Sequence, residues 1–319
     1  MDNQFDFGPQ VRKDPPFTAR MRFHQSWYRE KVLKVPYGVG PKITNQTYYG
    51  NMLTLEDGEK GLNFLRPHIF EVARRRIADS KGTLDRFRLL SNLLSSQPMC
   101  FNLFGPLVDD VELATMLFSA WLPGEIKRVD RVCLEYAPEP ANEYLNDRTA
   151  FDAYVEYTRP DDSPAFIGIE TRLTESFSQK STTQPSYWQW TKNLNSPWPE
   201  ASWPRLIESD VNQIWRDHLL AVALLRHPKS CYAAGRFLVV YHPLDQGAIQ
   251  PLKSYRSLLK PGDQTFAELP LDHLVNLWAK AATPAAASAA DREWLSDFRM
   301  RYIDLSGSED EFQAFISRH

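Results

Sequence analysis

The sequence predicts an α/β protein: a central mixed sheet flanked by helices and preceded by an irregular N-terminal arm. Three observations carry this. From about residue 60 to 123 apolar residues recur at helical spacing, and from 126 to 173 they alternate in short runs broken by Pro, Asn and Asp. Beyond these, a helical pattern, SDVNQIWRDHLLAVALLRH (209–227), leads into the strongly apolar strand pattern GRFLVVYHP (235–243). Helices, strands, then helix and strand again describe a mixed α/β layer.

Residues 1–50 are punctuated by Pro15, Pro16, Pro36, Gly38, Gly40 and Pro41, which predicts an arm over a core rather than a domain. Between Arg12 and Lys42 the arm carries eight Lys/Arg (Arg12, Lys13, Arg20, Arg22, Arg29, Lys31, Lys34, Lys42) against Asp14 and Glu30, interleaved with Phe17, Phe23, Trp27, Tyr28 and Tyr37. Basic side chains with aromatics between them suit phosphate contact and base stacking, and Arg20 and Arg22 are its nucleic-acid-binding candidates. The same composition suits a solvated basic surface whose aromatics pin the arm to the core.

Helices follow in GLNFLRPHIFEVARRRIA (61–78), TLDRFRLLSNLLSS (83–96) and DDVELATMLFSAWL (109–122), with Asp109 or Asp110 as N-cap of the last and Pro123 as its stop. Gln97 and Asn102 read as structural caps around an apolar stretch. Strand and turn chemistry then appears in IKRVDRVCLEYA (126–137), FDAYVEYT (151–158) and AFIGIETRL (165–173). A Trp- and Pro-rich connection (186–204) precedes the helix at 209–227, and AATPAAASAADREWLSDFRMRYIDL (281–305) reads as a loop leading into a last helix. No repeat and no sharp composition break appears, so 1–319 reads as one domain: arm 1–50, core 60–245, C-terminal helical extension 246–319.

Composition excludes several function classes. A hydrophobic content of 43% is enough for a sizeable core, and a net charge of −3 argues against a polycation that coats nucleic acid, leaving only local basic patches. Cys100, Cys133 and Cys231 are widely spaced with no CxxC pair, so neither a zinc site nor a disulfide framework is expected, and a reducing cytoplasm is. The opening residues show no apolar h-region, so no export is expected, and no stretch approaches the roughly 18–20 apolar residues of a membrane span. No GxSxG, GxxxxGK[ST] or HExxH motif occurs, and nothing groups Cys133 with a histidine. His218, in an apolar helix, reads as a core or boundary histidine.

The segment 151–173 carries the chemistry. Treated as an antiparallel hairpin turning at PDDSP, it places Asp152 directly across from Glu170, and pairs Ala153 with Ile169, Tyr154 with Gly168 and Val155 with Ile167. One face is then apolar and suited to lie on helices, while Glu170 and Arg172 share the other. Opposed carboxylates destabilise a sheet unless something positive lies between them. Mg²⁺, held by one or two carboxylates with water and substrate phosphate, would serve; a solvated strand face is the plainer account.

Asp152 followed by Glu170-Thr171-Arg172, in a strand–turn–strand after helices and before a helix, resembles the PD-(D/E)xK nuclease superfamily. SSQPMCFNLFGPL (95–107), VDRVCLEYAPE (129–139), DRTAFDAYVEY (147–157), IGIETRLTESFS (167–178) and NQIWRDHLLA (212–221) are similar to a restriction-endonuclease-type branch of it. The resemblance covers roughly residues 60–245. It implies a restriction-endonuclease-like core and a metal-dependent endonuclease hydrolysing DNA, with a role in host defence. Mg²⁺ or Mn²⁺ would be held by Asp152, Glu170 and the Thr171 carbonyl. DNA is the implied partner, with RNA open, as is a homodimer or a partner defence protein; no membrane is implied.

One departure matters: Arg172 stands where the family has Lys. Arginine stays protonated and binds phosphate as a planar fork, so it supports transition-state charge but is no general base. Either the metal acts without that help, Lys180 moves in, or the site is weakened; a catalytically inactive nuclease-fold module that binds nucleic acid or a partner protein is the alternative. Glu135 is a further catalytic candidate from the adjacent strand, and equally a salt-bridged strand acid. Gln213 and Arg216, at i and i+3 of the later helix, either reach substrate or lie on a solvated face.

Overall fold

The computed structural model describes residues 7–41, 46–79 and 84–318. Lys42 of the basic arm and Thr83 at the head of an expected helix lie outside them. The arm is the first correction: it is not irregular. Pro16–Trp27 forms helix α1, with Pro16 in its first turn, where a missing N–H is harmless and φ is preset. A π-helical turn, Tyr28–Leu33, continues it, and β1 (Tyr37–Val39) and β2 (Tyr48–Leu53) form a small hairpin.

The interleaved aromatics explain the order. Met21, Phe23 and Tyr28 are buried, while Arg20, Arg22, Arg29 and Lys31 find acidic partners within the chain. Arg20 pairs with Glu309 at 2.9 Å and donates to the Leu305 carbonyl at 2.6 Å. Arg22 pairs with Asp14 and donates to Asn51 Oδ1 at 2.7 Å. The fully buried Arg301, from the far end of the chain, donates to the Asn63 carbonyl and lies 5.0 Å over the Tyr28 ring.

Five helices follow: α2 (Leu55–Glu59), α3 (Pro67–Ala78), α4 (Arg86–Ser91), α5 (Ser96–Val108) and α6 (Val111–Trp121). Side-chain caps set four of the starts: Thr54, Asp85, Ser95 and Asp110 each accept a backbone N–H of the first turn. Asp110 rather than Asp109 caps α6, which ends just before Pro123 as expected. Helix α5 is buried along almost its whole length. Within it Asn102 accepts from Leu65 N and donates to the Asn63 carbonyl and to Tyr302 Oη, a structural role.

The sheet strands are β3 (Arg128–Tyr136), β4 (Phe151–Thr158) and β5 (Pro164–Arg172), followed by α7 (Pro185–Thr191), α8 (Trp203–Leu206) and α9 (Asn212–Arg226). Then come β6 (Ala234–Tyr241), α10 (Gln246–Arg256), β7 (Phe266–Pro270), α11 (Leu271–Ala281), α12 (Ala289–Tyr302) and α13 (Glu309–Ile316). Strand order is β3-β4-β5-β6-β7; the first three run antiparallel and the last three parallel, so the sheet is mixed. The residues expected as a C-terminal helical extension include β7, which joins this sheet, and α11 and α12, which pack on it.

The expected hairpin register is the observed one: Ala153 pairs with Ile169, Tyr154 with Gly168 and Val155 with Ile167. Ala153, Val155, Ile167 and Ile169 pack against the α5, α6, α11 and α12 side, with Leu103, Phe118 and Trp278. The opposite face is buried as well, with Tyr154, Phe166 and Phe237 packed against Trp215 and Leu219 of α9. Strand β5 is buried from Ala165 to Arg172, as a central strand covered on both faces must be. Gly168 is required there, since a Cβ would lie 2.5 Å from the Phe151 ring. No helix among the described residues is long and apolar enough to cross a membrane.

Candidate active site

Two ladders converge on Asp152. Leu134 and Tyr136 of β3 pair with Ala153 and Phe151, so Glu135 lies across from Asp152; Ala153 pairs with Ile169, so Glu170 lies across on the other side. Three acids on adjacent strands thus form one row. Glu135 breaks the regular pleat with φ of +54°, a left-handed conformation that a non-glycine residue seldom adopts and that re-aims a side chain.

Each acid has its own fixing contacts. Thr171 donates both its backbone N–H, at 2.8 Å, and its hydroxyl, at 2.7 Å, to Oδ2 of Asp152, which is half-buried. Gln97, at the start of α5, donates to Glu135 Oε1 at 3.0 Å. Arg172 donates to Glu170 Oε1 at 2.8 Å, and its guanidinium lies 4.4 Å over the Phe177 ring; Glu170 and Arg172 are 9% and 6% exposed, too little for a surface ion pair.

The electrostatics are those of acids crowded out of water. Burial, then the charge of Asp152, pushes the Glu135 carboxyl up to about 7. Burial and then Asp152 likewise raise Glu170 well above the carboxylate range, with Arg172 opposing. Asp152 is raised by burial against the two Thr171 hydrogen bonds, which favour its charged form. A fourth acid, Asp217 of α9, is pushed up to about 7 by burial, with Arg172 and Arg216 opposing.

Several polar atoms here lack partners among the described residues: Oδ2 of Asp217, Oε1 of Gln97 and Nε of Arg172 are all buried and unpaired. Orphaned buried groups beside uncompensated acids mark a place where an ion, water or substrate completes the shell. The oxygen-only donor set fits a hard divalent cation held by two carboxylates and water. Among the described residues no three His, Cys, Asp or Glu converge to enclose a metal by themselves.

The structure therefore brings together Glu135, Asp152, Glu170, Thr171 and Arg172. It does not bring Arg20 or Arg22, which tie α1 to the α13 end and to β2. Arg216 contacts Tyr187 Oη and Thr149 Oγ1, both at 3.2 Å, and Gln213 accepts from Ser178 N at 2.7 Å, so both brace segments around the site. Lys180 is exposed, and among the described residues no ion pair joins it to an acid.

Sequence reasoning missed three contributors. Asp217 stands at i+4 from Gln213, a spacing that puts both on one helix face and could have exposed it. Gln97, read as a cap, reaches Glu135. Glu175 accepts from Ser96 N at 2.8 Å and pairs with Arg88 at 3.0 Å, an anion at the start of α5; no local pattern signals that. A groove of about 660 Å³ runs along the edge strand β3, lined by Arg75, Arg76, Arg131 and Glu135 among others.

Residues 12–304 match the family model of the PD-(D/E)XK nuclease superfamily. No curated protein and no solved structure matches the chain significantly.

Proposed function

Because the chain belongs to the PD-(D/E)XK nuclease superfamily, we propose that it hydrolyses DNA phosphodiester bonds in a reaction dependent on Mg²⁺ or Mn²⁺. The observation that carries this reading is the row of Glu135, Asp152 and Glu170 on three adjacent strands, with the buried Arg172 beside it. Asp152 and Glu170, with the Thr171 carbonyl, would hold the metal, which when bound activates water and neutralises phosphoryl charge.

The chain's own residues supply the rest. Thr171 favours the charged form of Asp152 through two hydrogen bonds. Arg172, fixed by Glu170 and Phe177, offers a permanently charged fork to the non-bridging phosphate oxygens. It takes no proton, and Glu135, oriented by Gln97, is the group suited to accept one from the attacking water. The groove along β3, which counts Glu135 among its lining residues, offers the substrate an approach from that edge of the sheet. The likeness of five segments to restriction-endonuclease-type proteins supports a role in host defence, and a homodimer would bring two such sites to one duplex.

Arg172 itself favours a second reading. An arginine in the family's lysine position, already paired with Glu170, also suits a nuclease-fold module that binds nucleic acid or a partner protein without cutting. Plasmid and single-stranded DNA, and RNA, incubated with Mg²⁺ or Mn²⁺ and the wild-type chain, Asp152→Ala or Glu170→Ala, separate the two. Metal-dependent cutting lost in both variants supports the nuclease. Nucleic-acid binding without cutting, unchanged by either variant, supports the module.

A further inference from the structure

A second cavity, of about 410 Å³, lies at the opposite end of the sheet from the acid row. It is lined by Tyr157 and Arg159 at the end of β4, Arg226 at the end of α9, Arg236 in β6, and Glu125. Tyr157 pairs with Ala165, and Ala165 with Ala234, so this end of β5 is five residues from Glu170 along the same strand. At roughly 3.4 Å per residue that is about 17 Å, too far for a group held here to touch the acid row.

Among the residues that line this cavity, basic groups outnumber acids. Arg236 meets Glu125 at 3.3 Å and donates to the Gln264 carbonyl at 3.3 Å. The guanidinium groups of Arg159 and Arg226 have neither an ion pair nor a hydrogen bond among the described residues, although Asp161 lies near enough to Arg159 to feel its charge, whereas Arg66, Arg88, Arg131, Arg172 and Arg205 each meet a carboxylate. Three arginines, Arg159, Arg226 and Arg236, line this cavity against one acid, Glu125, so it presents surplus positive charge to an anion. Their planar forks match phosphate oxygens, and the surplus positive charge suits a polyanion. The volume falls in the range of small-molecule sites.

We propose that this cavity binds a compact polyphosphate, either pyrophosphate or the phosphate chain of a nucleoside triphosphate, held by Arg159 and Arg226 with Arg236 alongside. The proposal stands independently of the nuclease reading, because none of its residues belongs to the acid row.

The test is calorimetric titration and thermal shift with pyrophosphate and with ATP, without divalent metal, at an ionic strength matched with NaCl. Wild type and Asp152→Ala are expected to bind equally, Arg159→Gln/Arg226→Gln to bind at least tenfold more weakly, and NaCl alone to give no shift. The single variant Arg226→Gln, at an exposed helix end, guards against misfolding of the pair and is expected to be intermediate. Absence of binding by the wild type, or binding unchanged in both arginine variants, overturns the proposal. An oligonucleotide that displaces pyrophosphate and loses as much affinity in the double variant overturns it too, since the cavity would then hold nucleic-acid backbone.

Discussion

Thr171 gives both its backbone N–H and its hydroxyl to a single oxygen of Asp152, at 2.8 and 2.7 Å, locking the end of β5 to the start of β4. Removing the hydroxyl while keeping the shape should loosen that carboxylate. Thr171→Val is expected to remain folded and to weaken Mn²⁺ binding by about 10-fold or more, as outer partners of metal-holding groups do. Calorimetric titration of Mn²⁺ checks it; unchanged affinity would remove Asp152 from the metal-holding pair.

Arg172 and Glu170 should fail together. Arg172→Ala leaves a buried carboxylate without its cation, a change that in comparable sites costs about 3–5 kcal/mol. The loss is expected to be larger at pH 8 than at pH 5, because Glu170, already raised by burial and Asp152, relieves itself by taking a proton. Urea unfolding at the two pH values measures this. Arg172→Lys restores a point charge and is expected to keep cutting at a rate well above that of Arg172→Ala.

Glu135 gives a pH signature with a definite sign. Its carboxyl titrates near 7 in the folded chain, above its ordinary value of 4.5, so the folded state holds a proton that the unfolded chain has released. Stability tied to that proton is present below about pH 4.5 and lost as pH rises through 7. Glu135→Gln, which keeps a partner for Gln97, should therefore be more stable than wild type by up to about 3 kcal/mol at pH 8. The difference should shrink toward zero at pH 4.5. Mg²⁺, which prefers the ionised row, should raise the melting temperature more at pH 8 than at pH 5.5.

Arg20 should behave as a structural residue. It pairs with Glu309 and donates to Leu305 and Ser308, fastening α1 to the C-terminal helix. Arg20→Ala is expected to lower stability by about 1–2 kcal/mol and leave DNA affinity within twofold of wild type. A filter-binding titration beside a melting curve decides; a large affinity loss at unchanged stability would return the arm to the binding surface.

The sequence by itself determined the hairpin register, the run of helices then strands between about 60 and 245, and the pairing of Asp152 with Glu170-Thr171-Arg172. Period-two alternation and turn chemistry are local, and Ala153, Val155, Ile167 and Ile169 fit only one register with their apolar face inward. What only the tertiary structure decided was distant in the chain. The arm became a helix because Met21, Phe23 and Tyr28 find a core and Arg20 finds Glu309 some 289 residues away. Asp217, Gln97 and Glu175 reached the site because α5, α9 and the loop after β5 converge there. The positive φ of Glu135 likewise depends on its neighbours across the sheet. Most such contacts join residues far apart in sequence, where local pattern holds no record of them; that is why the strand acids were legible while Gln97, Glu175 and the helix acid Asp217 were not.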